Sequence, residues 1–200
     1  MNVIEAQHQR QQTAARILDT LDLERLWSRF GRPTLVGAMS YDLMVAPDID
    51  MEIFHNGAPP IDQGFEVMAA CARHQMVREV RFSNHLDGAD EGIYWQLRVA
   101  AGDEDWKIDM WLLREGHPGP LSSWLTEPMR AALTDETRRA ILTIKQAEAG
   151  NPDRCGSIHI YRAVLQDGVR TPDEFRRWQG RHDTTALTDW LPSPARPGSR

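Results

Sequence analysis

Two stretches decide the fold of this chain: LVGAMSYDLMVAPDIDMEIF (residues 35–54) and WKIDMWLL (residues 106–113). Both place carboxylates inside runs of apolar residues, which is unusual because aspartate is a poor strand former. Asp48 and Asp50 are two residues apart, so on a strand both point to one face while Ile49 points to the other. The first stretch therefore predicts a strand with one acidic and one apolar face.

The repulsion between the carboxylates of Asp48 and Asp50 needs compensation. At an effective dielectric near 20, two like charges about 4 Å apart cost roughly 4 kcal/mol. Either the face is well solvated or a cation lies between the carboxylates, and Mg²⁺ prefers carboxylate oxygens together with substrate phosphate. Asp109 interrupts the second stretch, and on its own a solvent-facing strand position explains it. If its strand lies beside that of Asp48 and Asp50, three carboxylates converge, enough to hold two divalent ions.

Hydrophobic periodicity predicts an α+β fold: a mixed β-sheet with an N-terminal helix and a helical C-terminal subdomain. We expect an N-terminal helical segment (1–30), a core (31–115), a C-terminal helical subdomain (116–185) and a flexible Pro- and Ser-rich tail (186–200). The predicted strands are 34–38, 48–54, and three around Val80–Phe82, 93–99 and 108–112; the predicted helices after the first begin near Asp62, Thr134, Ser157 and Thr171.

Composition limits the class of protein. The chain has 200 residues, of which 41% are hydrophobic, and 29 acidic against 23 basic residues give a formal charge of −6. That balance disfavours extended nucleic acid as a partner. The sequence has two isolated cysteines, no signal-peptide pattern and no apolar run of membrane-spanning length, so we expect a cytoplasmic protein without membrane partners. It also lacks the GxxxxGK[ST] phosphate loop, GxGxxG, HExxH and zinc-ligand spacings.

The two stretches together resemble the DNA polymerase β-like nucleotidyltransferase superfamily, most closely its small bacterial single-domain members of the minimal and antibiotic-modifying types. The shared pattern is a hydrophobic residue and Gly, a spacer, Asp-hydrophobic-Asp, and a later acidic residue between apolar ones; Gly37 stands 11 residues before Asp48. The resemblance implies that Asp48 and Asp50 bind two Mg²⁺ ions, with Mn²⁺ as an alternative. It implies that Asp109 binds the catalytic metal and helps deprotonate the acceptor hydroxyl.

The phosphate-binding part of the pattern is altered. The resemblance implies that Gly37 is a turn residue whose neighbouring backbone N–H groups approach a triphosphate. Ala38 stands where the family has Ser or Gly, and Ser40 is a candidate substitute for the missing hydroxyl. Asp42 stands where many relatives have Gly and would repel a triphosphate unless it points away. We therefore predict weak affinity for nucleoside triphosphate.

Other residues have two interpretations. Lys107 is a candidate nucleotide-binding residue, and Arg98 could also neutralise phosphate, although a solvated sheet face explains both equally well. Aromatic residues on the strands either stack on a base or belong to the core, and two residues of the C-terminal helices could reach the site from the other side: Tyr94, Trp95, Trp111, Tyr161 and Arg162.

Two functions follow from the resemblance. The first is a Mg²⁺-dependent transferase, with ATP among its candidate donors, that moves a nucleoside monophosphate to a hydroxyl of a small-molecule or protein acceptor. The second is a nucleotide-binding regulatory module of the same fold with little or no activity. A third interpretation is that the acids are coincidental surface residues, and it fails if the Asp109 carboxyl lies within about 5 Å of the other two. The sequence does not define the oligomeric state.

Overall fold

The computed structural model describes residues 2–185 and 188–193, so much of the predicted tail (186–200) lies outside the described residues. The chain forms eight helices and five strands within that part. They are α1 (Val3–Leu21), α2 (Leu23–Ser28), β1 (Arg32–Val36), α3 (Gly37–Ser40), β2 (Asp48–His55), α4 (Ile61–Ala72), β3 (Val77–His85), β4 (Gly92–Ala101), β5 (Glu104–Arg114), α5 (Ser123–Ala132), α6 (Asp135–Glu148), α7 (Ser157–Leu165) and α8 (Pro172–Gln179).

The five strands form one mixed sheet in the order β1-β2-β5-β4-β3. Strands β2 and β5 are parallel, and the other three pairs are antiparallel. A parallel pair needs a crossover connection, which α4, β3 and β4 supply. The predicted α+β class with a mixed sheet is confirmed.

One face of the sheet is buried along the strands β2, β4 and β5. On β5 this face consists of Trp106, Ile108, Met110 and Leu112, each 0% exposed. Helices α1, α2 and α4 cover it, and Trp27 of α2 donates its indole N–H to the sulfur of Met110 over 3.2 Å. This burial fixes the register of the strand, because a slip of one residue would exchange its two faces.

A second apolar cluster joins the helices α5 to α8. Its buried members include Leu43, Ile141, Ile144 and Phe175. Ala38, in the short helix α3, packs against this cluster and also against the cluster under the sheet. The turn after β1 therefore lies where the two parts of the molecule meet.

The structure differs from the predicted elements in three places. The predicted strand 34–38 ends at Val36, because Gly37 has φ of +65° and begins the short helix α3. The N-terminal helix breaks at Asp22, which adopts a left-handed conformation with φ of +52°. Helix α5 was not predicted, because prolines precede it and Pro128 lies within it. The predicted start of a helix near Thr171 is confirmed, and Thr171 forms a capping box there through reciprocal bonds with Glu174. No helix among the described residues is both long and apolar enough to span a membrane.

Candidate active site

The three predicted carboxylates come together on adjacent strands. The parallel register of β2 and β5 places Asp50 opposite Asp109 and Asp48 opposite Lys107. Asp48, Asp50 and Asp109 each offer a carboxylate oxygen within 4.8 Å of the other two. Two acidic motifs that are far apart in sequence thus form one cluster, and the interpretation of coincidental surface acids fails.

Lys107 lies between two of these carboxylates. Its Nζ is 2.7 Å from Asp109 Oδ2 and 3.3 Å from Asp48 Oδ1. Burial lowers the pKa of Lys107, but the contacts with Asp109 and Asp48 outweigh burial and raise it. Lys107 is therefore the internal counter-charge of the triad.

Two side chains of β4 orient Asp109. The Tyr94 hydroxyl donates to Asp109 Oδ1 over 2.6 Å, and Gln96 Nε2 donates to the same oxygen over 3.0 Å and to the Tyr94 oxygen over 2.7 Å. Burial and the bond to Asp109 raise the pKa of Tyr94 to about 12, so the hydroxyl keeps its proton at neutral pH. Oδ1 of Asp109 is held in place by these two bonds, while Oδ2 contacts Lys107.

Gly37 provides the space that Asp50 fills. Its φ is +65°, and a Cβ at this position would collide with Asp50 Oδ2. Burial, with the charges of Asp48 and Asp109, raises the pKa of Asp50 to about 7. Burial also raises the pKa of Asp48. Acids crowded in this way are relieved by a divalent cation, which favours their charged forms.

The donor set fits such a cation. Carboxylate oxygens suit hard ions such as Mg²⁺ and Mn²⁺. Asp48 Oδ1 is buried, and the one charged group in contact with it among the described residues is Lys107 Nζ at 3.3 Å, so a divalent ion that displaced Lys107 could coordinate this oxygen. Asp48, Asp50 and Asp109 would hold the metal, and their chemistry does not choose between the two ions.

A cleft of about 410 Å³ opens between the sheet and the C-terminal helices. This volume is typical of small-molecule sites. The sheet side contributes Asp48 and Asp50 together with the predicted turn residues Gly37 and Ala38. The helical side contributes Lys145, Ser157, Ile158 and Tyr161, among others.

Lys145 is a cleft residue that the sequence analysis missed. It is only 8% exposed, and its Nζ donates to the carbonyl of Leu43 over 2.8 Å and to the Tyr161 hydroxyl over 3.1 Å. These bonds compensate an ammonium that would otherwise be costly to bury. Its position four residues after the apolar Ile141, and so on the same face of α6, was the available signal.

The altered phosphate turn has a structural explanation. The Ser40 hydroxyl donates to the Gly37 carbonyl over 2.9 Å and does not line the cleft. Asp42 has φ of +58°, a conformation that glycine adopts readily and that aspartate tolerates better than most residues. Its carboxylate lies 3.8 Å from Arg138 Nη1, outside the cleft lining. The predicted repulsion of a triphosphate by Asp42 is thereby reduced.

The remaining candidates lie in the core, on helix α7, or on the face of the sheet that carries Asp109. Trp95 is fully buried in the core, and Tyr161 reaches the cleft while Arg162 does not line it. Tyr94, Trp111 and Arg98 are half-buried on the face that carries Asp109. A further acid, Glu52, was not predicted as functional. Its carboxylate accepts hydrogen bonds from the backbone N–H groups of Ser122 and Ser123 over 2.7 and 3.1 Å, and these bonds connect β2 to the start of α5.

Comparison with solved structures identifies proteins of similar fold. The poly(A) polymerase GLD-2 in complex with GLD-3 matches with a TM-score of 0.57 at 12% identity, over 86% of this chain and 61% of that one. Cid1 with its short product ApU matches with a TM-score of 0.55 at 13% identity, over 78% and 48%. The STING-associated CdnE c-di-GMP synthase from Capnocytophaga granulosa matches with a TM-score of 0.52 at 7% identity, over 79% and 59%.

The chain spans about half to three fifths of the length of these three structures. No protein-family model matches the sequence, and no curated protein matches it either. The identities are low, so the likeness concerns the fold. The mixed sheet gives this chain the fold of these three structures, and the acidic triad lies on its strands β2 and β5.

Proposed function

We propose that this protein is a metal-dependent nucleotidyltransferase that moves a nucleoside monophosphate from a nucleoside triphosphate to an acceptor hydroxyl and releases pyrophosphate. The observation that carries the proposal is the meeting of Asp48, Asp50 and Asp109 within 4.8 Å on two parallel strands. Mg²⁺ is the proposed ion and ATP a candidate donor. The acceptor is a small molecule or a protein rather than extended nucleic acid, because the chain is acidic overall.

The side chains of the triad divide the chemistry between them. Bound divalent ions supply charge stabilisation at the attacking oxygen, the α-phosphoryl group and the leaving group. Once Lys107 has left it, Asp109 Oδ2 accepts the proton of the acceptor hydroxyl, because Tyr94 and Gln96 occupy Oδ1. The same two bonds keep this carboxylate from rotating away from Asp48 and Asp50.

The cleft is the proposed site of the triphosphate. Gly37 and Ala38 bring backbone close to its floor, and the Lys145 ammonium offers positive charge from the opposite wall. Lys107 would add a second cation if it left its carboxylate partners. The Ser40 hydroxyl contributes to the shape of the turn through its bond to Gly37.

Pyrophosphate release tests the proposal. The chain is incubated with each labelled nucleoside triphosphate, Mg²⁺ and a panel of hydroxyl acceptors. We expect acceptor-dependent release from the unaltered chain and from Asp105→Asn, which alters an exposed acid of the same strand. Release is lost in Asp109→Asn. Equal release from Asp109→Asn would overturn the assignment.

A regulatory nucleotide-binding module is the second candidate function. It is favoured by Ala38, by the engagement of the Ser40 hydroxyl with backbone, and by Lys107 in contact with the triad. Calorimetry with a non-hydrolysable triphosphate and Mg²⁺ measures the strength of the phosphate site. We expect weak binding, and a low-micromolar Kd would contradict a weakened site. Binding without turnover across the acceptor panel would favour the module.

A further inference from the structure

The triad is accessible from two sides, and only one side faces the cleft. Asp48 and Asp50 line the cleft, whereas Asp109 does not. Asp109 instead adjoins a surface of β4 and β5 that we call the open face. It consists of alternate residues of the paired strands, which point to the same side of the sheet: Tyr94, Gln96, Arg98, Lys107 and Trp111.

The open face is exposed enough to receive a ligand. Tyr94, Arg98 and Trp111 are half-buried. On the opposite face of the same strands, Trp95 and Ile108 are 0% exposed beneath the helices. The aromatic and basic side chains of the open face are therefore not explained as parts of the core.

Aromatic rings form one end of the open face. The ring centroids of Tyr94 and Trp111 are 5.2 Å apart, and the ring of His85 lies 5.4 Å from that of Trp111. The Tyr94 hydroxyl reaches Asp109 over 2.6 Å, so this cluster begins one hydrogen bond from the third carboxylate. Partly exposed aromatic rings of this kind stack on planar ligand groups.

A guanidinium without an ion pair forms the other end. Arg98 lies opposite Lys107 in the strand register, but it has no carboxylate within 4 Å among residues 2–185 and 188–193. Glu79, whose charge Arg98 feels, is bonded to Arg81. A half-buried guanidinium with free donors favours an anion such as phosphate.

The spacing of these groups defines the ligand. The pair Asp109–Gln96 lies midway between the pair Tyr94–Trp111 and the pair Lys107–Arg98. Two residues along a strand span about 7 Å, so a hydroxyl at Asp109 has a ring platform on one side and a cation on the other at that distance. A nucleoside monophosphate has this layout, because its sugar hydroxyls lie between its base and its phosphate.

We propose that the open face binds the acceptor, and that the acceptor is a small hydroxyl compound with a planar ring and a phosphate on opposite sides of its sugar. The transfer step rests on the proposed function, whereas binding is measurable without it. The acceptor oxygen bonds to the α-phosphorus as the bond to pyrophosphate breaks, and the hydroxyl proton passes to Asp109. In-line displacement requires the acceptor oxygen and the leaving pyrophosphate to lie on opposite sides of the α-phosphorus. The cleft is the proposed site of the pyrophosphate, so the acceptor belongs on the side of the open face.

Calorimetry with dissected ligands tests this site. The full chain is first saturated with a non-hydrolysable ATP analogue and Mg²⁺, which fills the cleft. The four ribonucleoside monophosphates, adenosine and ribose 5-phosphate are then titrated separately. We expect at least one monophosphate to bind, and adenosine and ribose 5-phosphate to bind more weakly than AMP if AMP is that ligand.

Paired substitutions assign the two ends of the ligand. Trp111→Leu should weaken the bound monophosphate and its nucleoside about tenfold and leave ribose 5-phosphate unchanged, with Trp111→Phe intermediate. Arg98→Gln should weaken the monophosphate and ribose 5-phosphate about tenfold and leave the nucleoside unchanged. Trp124→Leu and Arg177→Gln, at exposed positions of α5 and α8, are matched controls that should change none of these affinities.

The outcomes separate this site from the proposed function. If no monophosphate binds the saturated chain, or if binding is insensitive to both substitutions in folded variants, the open face is not the acceptor site. Pyrophosphate release with an unrelated acceptor would then leave the nucleotidyltransferase proposal standing. Monophosphate binding with the expected sensitivities, but without release, would support the site and count against the transfer reaction.

Discussion

The two faces of strand β5 differ in every physical respect, although alternate residues of one strand form them. Ile108 and Met110 are 0% exposed and pack under helices. Lys107 and Asp109 are partly exposed and bond to polar or charged groups of the triad network. The comparison shows that burial of the apolar face sets the register, and the register brings the acids together.

The largest expected effect comes from altering only the face of β5 that carries Lys107 and Asp109, which we call the chemical face. Asp109→Asn should lower acceptor-dependent pyrophosphate release on the order of 10³-fold, because it removes both a metal ligand and the proton acceptor. The free energy of unfolding should not fall, since one of three crowded acids becomes neutral. Steady-state release and urea unfolding measure the two quantities, with Asp105→Asn as control. An inactive variant that is also strongly destabilised would contradict the separation of the two faces.

The packing of the apolar face of β5 is disrupted by Ile108→Ala. This substitution leaves a cavity in a fully buried position and should lower the free energy of unfolding by about 2–5 kcal/mol. Asp105→Ala, at an exposed position of the same strand, should change it by less than about 0.5 kcal/mol. Urea unfolding measures both. An Ile108→Ala variant as stable as its control would show that the register does not depend on this face.

The electrostatic strain on the chemical face is measured through pH. The folded-state pKa of Asp50, about 7, lies above its ordinary value of 3.8. The protonated form thus stabilises the metal-free fold fully below about pH 4, and that contribution is lost as pH rises through about 7. Asp50→Asn should remove this dependence and raise the free energy of unfolding at about pH 8 by up to about 4 kcal/mol in chelator. Parallel pH profiles for Asp50→Asn and the unaltered chain would contradict the shift.

Local sequence patterns were enough to predict the acids and the strands that carry them. The alternation in DIDMEIF predicted one acidic and one apolar face for its strand, and the pattern of WKIDMWLL placed Asp109 on a strand among apolar residues; the structure confirms both. A likeness in the order of motifs then suggested that the strands are neighbours. Alternation alone does not specify a parallel pair, because it predicts faces and not partners.

Residues recruited from distant parts of the chain were not predictable in this way. Lys145 comes from α6 and meets Leu43, 102 residues earlier, through a backbone carbonyl. Helix α5 contains Pro128 and follows other prolines, which argue against a helix, yet Glu52 of β2 accepts hydrogen bonds from two backbone N–H groups at its start. Such contacts depend on tertiary packing, which overrides local propensity.

Lys107 gives the smallest and most specific test of the comparison, because it belongs to the chemical face yet opposes metal binding. Its ammonium lies 2.7 Å from Asp109 and 3.3 Å from Asp48, so a divalent ion must displace it from those oxygens. Lys107→Gln should therefore raise the affinity for Mn²⁺ about tenfold, or roughly 1.4 kcal/mol, without nucleotide present.

The same substitution should act in the opposite direction on the metal-free protein. It removes the counter-charge of two carboxylates, so the free energy of unfolding in chelator should fall by about 1–3 kcal/mol. Arg114→Gln, at the exposed end of β5 and paired with Glu91, removes an equal charge outside the triad and should change neither quantity by as much. Manganese titration and urea unfolding measure the two effects. Weaker Mn²⁺ binding in Lys107→Gln would mean that the lysine assists binding of the ion. The carboxylates would then be preorganised for the metal, and the Lys107 ammonium would not compete with it.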